Sequence, residues 1–447
     1  MKMLTSKARK SILVVGDILI LWMGLFVTLI SRYPTHKLYD ALLLHILPFG
    51  IIYAVWILIF YITGLYEIRG THEIPNTLKL ILYAALLTGA IATALFYFVP
   101  LFLITPKINL MIDLVLSTAL LIGWRIFFIR SARRSVKTRI LLVGSSPDIE
   151  ELVESIATYP QLGFEIATRI ESPKAITAAF ETTPIDIVIA PRELQSNEQF
   201  VHVLYSTIAS GIRFIDAAMF YERILGKIPV ALISKAWFLE NIAETEKTFF
   251  EFIKRGVDIL FSLIIGACAL LVLPVIALCI TLDSRGPIFI RQRRIGRMGI
   301  PFTLYKFRTM QALGPDGLAE TNGAVWAEKN DARVTRVGTL LRATRVDELP
   351  QLWNILTGEL SFIGPRPERP EFVAQLRKEI PFYDMRHLVR PGLSGWAQTN
   401  PPFYYGTNKE AMLKLQYDLY YIKNRDLGLD LDIMLKTLMV IFSGRGR

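Results

Sequence analysis

The chain has 447 residues, 52% of them hydrophobic, a mean hydropathy of +0.40 and a formal net charge of +11. That length exceeds one ordinary core, so two or three units are expected, and that hydropathy argues against a wholly soluble protein and for membrane segments. The excess of Lys and Arg, in so apolar a chain, points to anionic lipid head groups and phosphorylated substrates and away from nucleic acid; Cys268 and Cys279 both lie in one apolar stretch and give neither a disulfide framework nor a metal-ligand spacing.

The N-terminus is basic (Lys2, Lys7, Arg9, Lys10) and runs into a hydrophobic segment without a small-residue cleavage site, which reads as a retained membrane helix. Residues 11–30, 41–62, 78–104 and 108–129 are apolar runs long enough to cross a bilayer. Lys and Arg concentrate before the first run and again at 125–139 after the fourth, so both ends of this bundle are expected on the cytoplasmic side of the membrane. Asp17 and Asp113 fall inside the runs and are expected to snorkel or to pair with a neighbouring helix.

From 138 the pattern changes. Arg139–Ser145, Phe164–Glu171, Ile185–Pro191 and Gly211–Ala217 read as strands, alternating with helices near 148–158, 174–181 and 197–209, the signature of a small parallel α/β domain. Its first strand ends Val143-Gly144-Ser145-Ser146-Pro147; a dinucleotide fingerprint needs further glycines, so this is expected to be a degenerate Rossmann-like domain with a structural or regulatory role. Residues 256–282 form a fifth apolar run, yet Lys254-Arg255 precede it and a strongly basic segment, 284–297, follows it. Both flanks want the cytoplasmic side, and Pro274 interrupts the backbone pattern midway. A re-entrant helix bent at Pro274 satisfies both. The expected division is therefore a four-helix transmembrane domain over 1–135, the α/β domain over 136–245, and a mostly helical α+β monotopic domain over 246–447.

The chemistry-bearing motifs crowd into this last part. Lys306 and Arg308 would share one face of a strand, a pair of cations suited to phosphate. Arg342 and Arg345 lead into Asp347-Glu348-Leu349-Pro350-Gln351, adjacent acids at the opening of a helix, where the dipole would keep a carboxylate ionised. Such a group could attack phosphorus, hold Mg²⁺ against substrate phosphates, or merely cap the helix. Gly364-Pro365-Arg366-Pro367 and Pro391-Gly392-Leu393-Ser394-Gly395-Trp396-Ala397-Gln398 read as loops offering backbone donors and a guanidinium to phosphate oxygens. Trp396 and Gln398 could meet a base, or Trp396 could be core.

With Lys254-Arg255 and Asp258, Gln292…Arg294…Gly296, Lys306-Phe307-Arg308-Thr309-Met310, the Asp347–Gln351 run, the two loops and Tyr417-Asp418-Leu419-Tyr420-Tyr421, the chain from about 254 onward resembles the bacterial sugar transferases, the polyprenyl-phosphate hexose-1-phosphate transferases of the monotopic phosphoglycosyl transferase superfamily. The segments before it look like the long form of that family. The resemblance implies a transferase that moves hexose-1-phosphate from a UDP-sugar to undecaprenyl phosphate, releases UMP and begins exopolysaccharide, capsule or O-antigen assembly. It implies Asp347 as nucleophile forming an aspartyl-phosphosugar, Glu348 as its Mg²⁺-binding or acid-base partner, and a substrate cradle from Lys306, Arg308, Arg342, Arg366, Ser394 and Gln398. Three departures stand out: Arg345 where the family often has a small residue, Gly358-Glu359-Leu360-Ser361 for Gly-Asp-Met-Ser, and Thr399–Tyr405 for an Asn-Gly-Arg-like turn. The last leaves the sugar open.

The C-terminal helices, 408–424 and 430–442, suit either the membrane interface or the catalytic core. A catalytically inactive membrane scaffold is the alternative reading, opposed by the intact acid pair and loops. A membrane-anchored nucleotide-sugar dehydratase or epimerase would need a working glycine fingerprint; Tyr405 and Lys409 have the spacing such enzymes use but lie far from the α/β domain. A homodimer through the α/β domain or the membrane bundle is compatible with the sequence.

Overall fold

The computed structural model of the chain describes residues 6–66, 74–98, 107–134, 137–172, 175–207, 210–242, 247–314, 317, 319, 331–400 and 407–442. It divides into two compact units, Met1–Ser145 with Glu150–Ile215 and Ser146–Ile149 with Asp216–Arg447.

The first unit opens with four long helices, α1 (Ser6–Arg32), α2 (Leu38–Ile62), α3 (Ile74–Phe98) and α4 (Lys107–Arg134). Each contains one of the expected apolar runs, although the end of the third run lies outside the described residues. All four are long and apolar enough to cross a membrane. Leu21, Leu29, Phe49, Trp56, Phe60, Ile81 and Leu121 form their shared core. α1 and α4 approach closely because Gly24 has no side chain: a Cβ there would lie 2.1 Å from Ser117 Oγ. The acids inside the bundle are paired. Asp17 accepts from Arg125 at 2.5 Å, and Arg125 also donates to the Leu65 carbonyl at 2.7 Å. Asp113 accepts from Tyr53 at 2.9 Å and Ser117 at 3.1 Å.

The α/β part of this unit contains β1 (Thr138–Val143), α5 (Pro147–Thr158), β2 (Phe164–Ile170), α6 (Ile176–Thr182), β3 (Ile187–Ala190), α7 (Glu198–Thr207) and β4 (Arg213–Asp216). The sheet order is β2-β1-β3-β4, with β1 parallel to both β2 and β3. β1 and β3 are the interior strands, and Ile140–Val143 and Ile187–Ala190 are buried throughout. An unbroken apolar run is what a strand covered on both faces requires.

The second unit holds α8 (Ala217–Leu225), α9 (Lys235–Asn241), α10 (Thr248–Asp283), β5 (Phe289–Ile295), β6 (Pro301–Phe307), α11 (Arg336–Ala343), α12 (Gln351–Thr357), β7 (Ser361–Ile363), α13 (Pro370–Glu379), β8 (Gly392–Ser394), α14 (Trp396–Thr399), α15 (Asn408–Asn424) and α16 (Leu427–Phe442). β5 and β6 form an antiparallel ribbon with Arg294 opposite Phe302 and Ile290 opposite Lys306; β7 and β8 pair in parallel. α15 is a core helix: Leu415, Leu419, Tyr421 and Ile422 are buried with Ile363, Leu376, Tyr383 and Ile433. That decides its role in favour of packing. α16 is two-faced, burying Ile433 and exposing Leu427, Leu431 and Leu438.

α10 is one continuous 36-residue helix, and Pro274 sits inside it. Its buried positions, Lys254, Asp258, Ser262 and Ile280, repeat at helical spacing along one stripe. Ile265, Leu273 and Ile276 pack on the same body. The opposite stripe leaves Leu260, Leu263, Leu270, Leu271, Val275, Leu278 and Leu282 exposed. Both ends are tied to the second unit. Asp258 accepts from Ser361 Oγ at 3.2 Å and from the Phe362 amide at 3.1 Å, and Asp283 accepts from the Val337 amide at 2.9 Å.

Candidate active site

The site forms where β6 passes the start of α12. On β6, Phe302 and Leu304 face the cluster made with Leu352, Ile355 and Leu360. Alternation places Lys306 on that same side, towards α12. Asn354, fully buried on α12, fixes the distance between strand and helix. Its Oδ1 accepts from the Tyr305 amide at 3.2 Å; its Nδ2 donates to the Thr303 carbonyl at 2.7 Å and to Glu359 at 2.8 Å. The far end of α12 closes on Gly358 in the left-handed conformation, φ 88°, with Arg255 donating to the Ile355 and Leu356 carbonyls. A cation at a helix C-terminus satisfies orphan carbonyls and complements their dipole.

Asp347 and Glu348 lie in a 3₁₀ turn, Val346–Glu348, just before α12, and both are buried. The turn is entered through Arg345 at φ 58°, an unusual conformation for a side-chain-bearing residue. Glu348 Oε1 receives three cations: Arg366 Nη2 at 3.2 Å, Lys306 Nζ at 3.3 Å and Arg345 Nη1 at 3.5 Å. Burial alone would raise the Glu348 carboxyl; the charges of Lys306, Arg366 and Arg345 overcome it and hold the group at about 2. For Asp347, burial prevails and pushes the carboxyl up, with Glu348 adding to the rise and Lys306, Arg345 and Arg366 opposing it. Burial likewise pushes the Lys306 ammonium down, against the pull of Glu348. Asp347 Oδ1 is buried without a partner. The expected helix-dipole effect on the acids is thus displaced by stronger local causes, cations for one and desolvation for the other.

Arg366 reaches Glu348 from a loop whose carbonyls are engaged. The carbonyls of Pro365, Arg366, Pro367 and Glu368 accept, in turn, from the Gly392 amide, the Arg386 guanidinium, the Arg294 guanidinium and the Ile295 amide. Gly364 and Gly392 allow β7 and β8 to meet here, since a Cβ on Gly392 would lie 2.0 Å from the Gly364 nitrogen.

Of the residues expected at the site, Lys306, Asp347, Glu348 and Arg366 are brought together. Arg308 is not. β6 ends at Phe307, and Arg308 turns into the protein, 2% exposed, donating to the Ser284 carbonyl at 2.6 Å and the Ile280 carbonyl at 3.3 Å. It caps α10, so Lys306 and Arg308 do not share a target. Arg342 lies half-buried on α11, where its charge is felt by Asp331. Ser394 shares a 2.6 Å hydrogen bond with Thr437. Gln398 donates to the Leu393 carbonyl at 3.3 Å and keeps Oε1 buried without a partner. Trp396 is half-buried and packs against the core: its ring nitrogen donates to the Gly226 carbonyl at 2.8 Å, Tyr420 stacks on it and Lys436 sits over the ring. Most of the Thr399–Tyr405 departure, with Tyr405, lies outside the described residues. Arg345, noticed in the sequence only as a departure, joins the site as the third cation on Glu348; its signal was a positive charge two residues before an acid pair.

Among the described residues no group of three His, Cys, Asp or Glu is placed to hold a metal by itself. Mg²⁺ bound mainly through substrate phosphates needs only one or two carboxylates, and the unpartnered Asp347 Oδ1 beside Glu348 fits that requirement.

Residues 249–444 match the family model described as bacterial sugar transferase. The chain is 38% identical over 263 residues to the UDP-N-acetylgalactosamine-undecaprenyl-phosphate N-acetylgalactosaminephosphotransferase of Aeromonas hydrophila, covering 55% of this chain and 60% of that protein. It is 32% identical over 326 residues to the UDP-glucose:undecaprenyl-phosphate glucose-1-phosphate transferase of Klebsiella pneumoniae, covering 68% and 67%. It is 38% identical over 201 residues to the exopolysaccharide production protein PSS of Rhizobium leguminosarum bv. phaseoli, covering 42% of this chain and 94% of that one.

Proposed function

This chain belongs to the bacterial sugar transferase family, and from that premise we propose that it transfers a hexose-1-phosphate from a UDP-sugar to undecaprenyl phosphate. The observation that carries the reading is the division of labour in the acid pair: Glu348 is held by three cations while Asp347 keeps an oxygen without a partner. Asp347 attacks the sugar-linked phosphorus; the phosphoanhydride bond breaks and UMP leaves. The aspartyl-phosphosugar then meets an oxygen of undecaprenyl phosphate, the bond from Asp347 to phosphorus breaks, and the carboxylate is restored as undecaprenyl diphosphate-sugar forms. Each step exchanges one P–O bond for another, and no oxidant or net proton is required. Lys306, Arg345 and Arg366 orient Glu348 and bring positive charge to the reacting phosphates. Asp347, with Glu348, would hold Mg²⁺, which when bound neutralises pyrophosphate charge.

The first unit anchors the protein through α1–α4, with the α/β part as a degenerate Rossmann-like domain. α10 lies at the cytoplasmic face of the inner membrane without crossing it. Two ties support this: the 22 helical rises from Asp258 to Ile280 would span about 33 Å, yet both ends are bound to the same unit. Relatives act on UDP-N-acetylgalactosamine and on UDP-glucose, and one is an exopolysaccharide production protein; initiation of such a polymer is the role proposed here. The test is UMP release by the full chain in detergent with Mg²⁺, undecaprenyl phosphate and a panel of UDP-sugars. UMP from one donor, lost in Asp347→Asn, is expected. Folded protein that releases no UMP from any donor favours an inactive scaffold.

A further inference from the structure

The Tyr417-Asp418 stretch of α15 has no part in the reaction just described, yet it is joined to the site by one residue. Arg386 is 2% exposed and lies in the turn Tyr383–His387. Its Nη2 and Nε donate to Asp418 at 2.8 and 3.1 Å, its Nη1 donates to the Tyr383 hydroxyl at 2.8 Å, and its Nη2 also donates to the Arg366 carbonyl at 3.0 Å. Arg366 in turn meets Glu348 with its side chain. A planar guanidinium can hold a carboxylate and a carbonyl in fixed directions at once, which an ammonium cannot. Glu368, two residues beyond Arg366, is a second buried anchor: it accepts from Lys414 of α15 and lies 3.9 Å from Arg294 and 4.0 Å from Arg386. The two prolines of the loop supply no amide donors of their own, so its shape depends on what its carbonyls meet.

Resting on the transferase reading above, we infer that Arg386, held by Asp418, is a positioning residue for the reaction: it fixes the main chain at Arg366 so that this guanidinium meets Glu348 and the reacting phosphates. It touches none of the reacting atoms, and its effect passes through Arg366.

The test is a double-mutant cycle on the full chain in detergent, with kcat and KM for UMP release and the melting temperature measured on the same samples. Arg386→Gln is made alone and in an Arg366→Ala background. Loss of an effect that acts only through Arg366 is non-additive, so kcat/KM should fall about tenfold or more in the first case and less than about twofold in the second. Because removing one partner of a buried pair can prevent folding, Arg386→Met combined with Asp418→Leu removes both charges and carries the same comparison. Equal fold-losses in the two backgrounds overturn the inference, as does wild-type turnover in a folded Arg386→Met/Asp418→Leu variant. Should both forms fail to fold, Arg386 is a stability residue and the inference falls. A wild-type protein that releases no UMP removes the functional reading first, and is told apart because no variant is needed to see it.

Discussion

Arg366 Nη2 donates to Glu348 Oε1 at 3.2 Å, while the adjacent Asp347 keeps Oδ1 buried and unpartnered. The two acids therefore stand in opposite relations to stability. Glu348 is depressed to about 2, so its contribution is present above the ordinary carboxylate range and is lost as pH falls from about 4.5 through about 2. Asp347 is raised by burial, so its ionised form costs stability at neutral pH. Asp347→Asn should lose at least about a thousandfold in kcat yet melt at pH 7 no lower than wild type. Glu348→Gln should melt lower, since Lys306, Arg345 and Arg366 would then face a neutral amide. UMP release and thermal melts on both variants check this; an Asp347→Asn enzyme within tenfold of wild type removes Asp347 as nucleophile.

Arg308→Met should act on stability and leave substrate binding alone. The variant strands the Ser284 carbonyl at the end of α10 and takes one of two donors from the Ile280 carbonyl, which keeps the Ser284 amide, a loss of about 1–3 kcal/mol. KM for the UDP-sugar, measured on the folded fraction, should stay within about twofold of wild type. A selective rise in KM without a lower melting temperature would return Arg308 to the phosphate site.

That case shows where the sequence stops being informative. The strands were legible because Ile140–Val143 and Ile187–Ala190 are unbroken apolar runs, and the acid pair and the Gly364–Pro367 loop were legible as short motifs. Alternation continues on paper beyond Phe307, where the strand actually ends, so the sequence sets Arg308 beside Lys306 while the structure turns it towards the Ser284 carbonyl. Trp396 showed an aromatic in a polar loop, but not that Tyr420 and Lys436 enclose it. Arg386 was invisible for a different reason. Its partners Asp418 and Arg366 lie 32 and 20 residues away, and no local period brings such groups together.

His387 should give the protein an acid-sensitive step of its own. It is buried, neither ring nitrogen has a hydrogen-bond partner, and the nearest acid, Asp384, is 3.7 Å away. Burial, reinforced by Arg386, lowers its pKa from 6.5 to about 4. Folded protein thus holds the ring neutral while unfolded chain takes up a proton below about 6.5, so stability falls as pH drops from 6.5 towards 4, by about 3 kcal/mol at most. His387→Phe should flatten the melting temperature across that window, leaving the carboxylate-driven loss below about 4.5 in place. Identical slopes for the two proteins would mean that His387 does not titrate on unfolding.

α10 yields the prediction that bears on membrane placement. A helix of this length and hydropathy would ordinarily be read as a span, but Asp258 and Asp283 bind Ser361 and Val337 of one body, and the apolar stripe from Leu260 to Leu282 is left exposed. In a background with Cys268→Ala and Cys279→Ala, single cysteines at the exposed positions Thr248 and Arg285 report the side of each end. With a membrane-impermeant maleimide, both Thr248→Cys and Arg285→Cys should label in inside-out vesicles and neither in right-side-out ones. Labelling on opposite sides would make α10 a fifth span and would carry Lys306 and Asp347, which follow it in the chain, away from cytoplasmic UDP-sugars. Because the flanks are basic at both ends, and a crossing would have to break the ties at Asp258 or Asp283, the same-side result is expected.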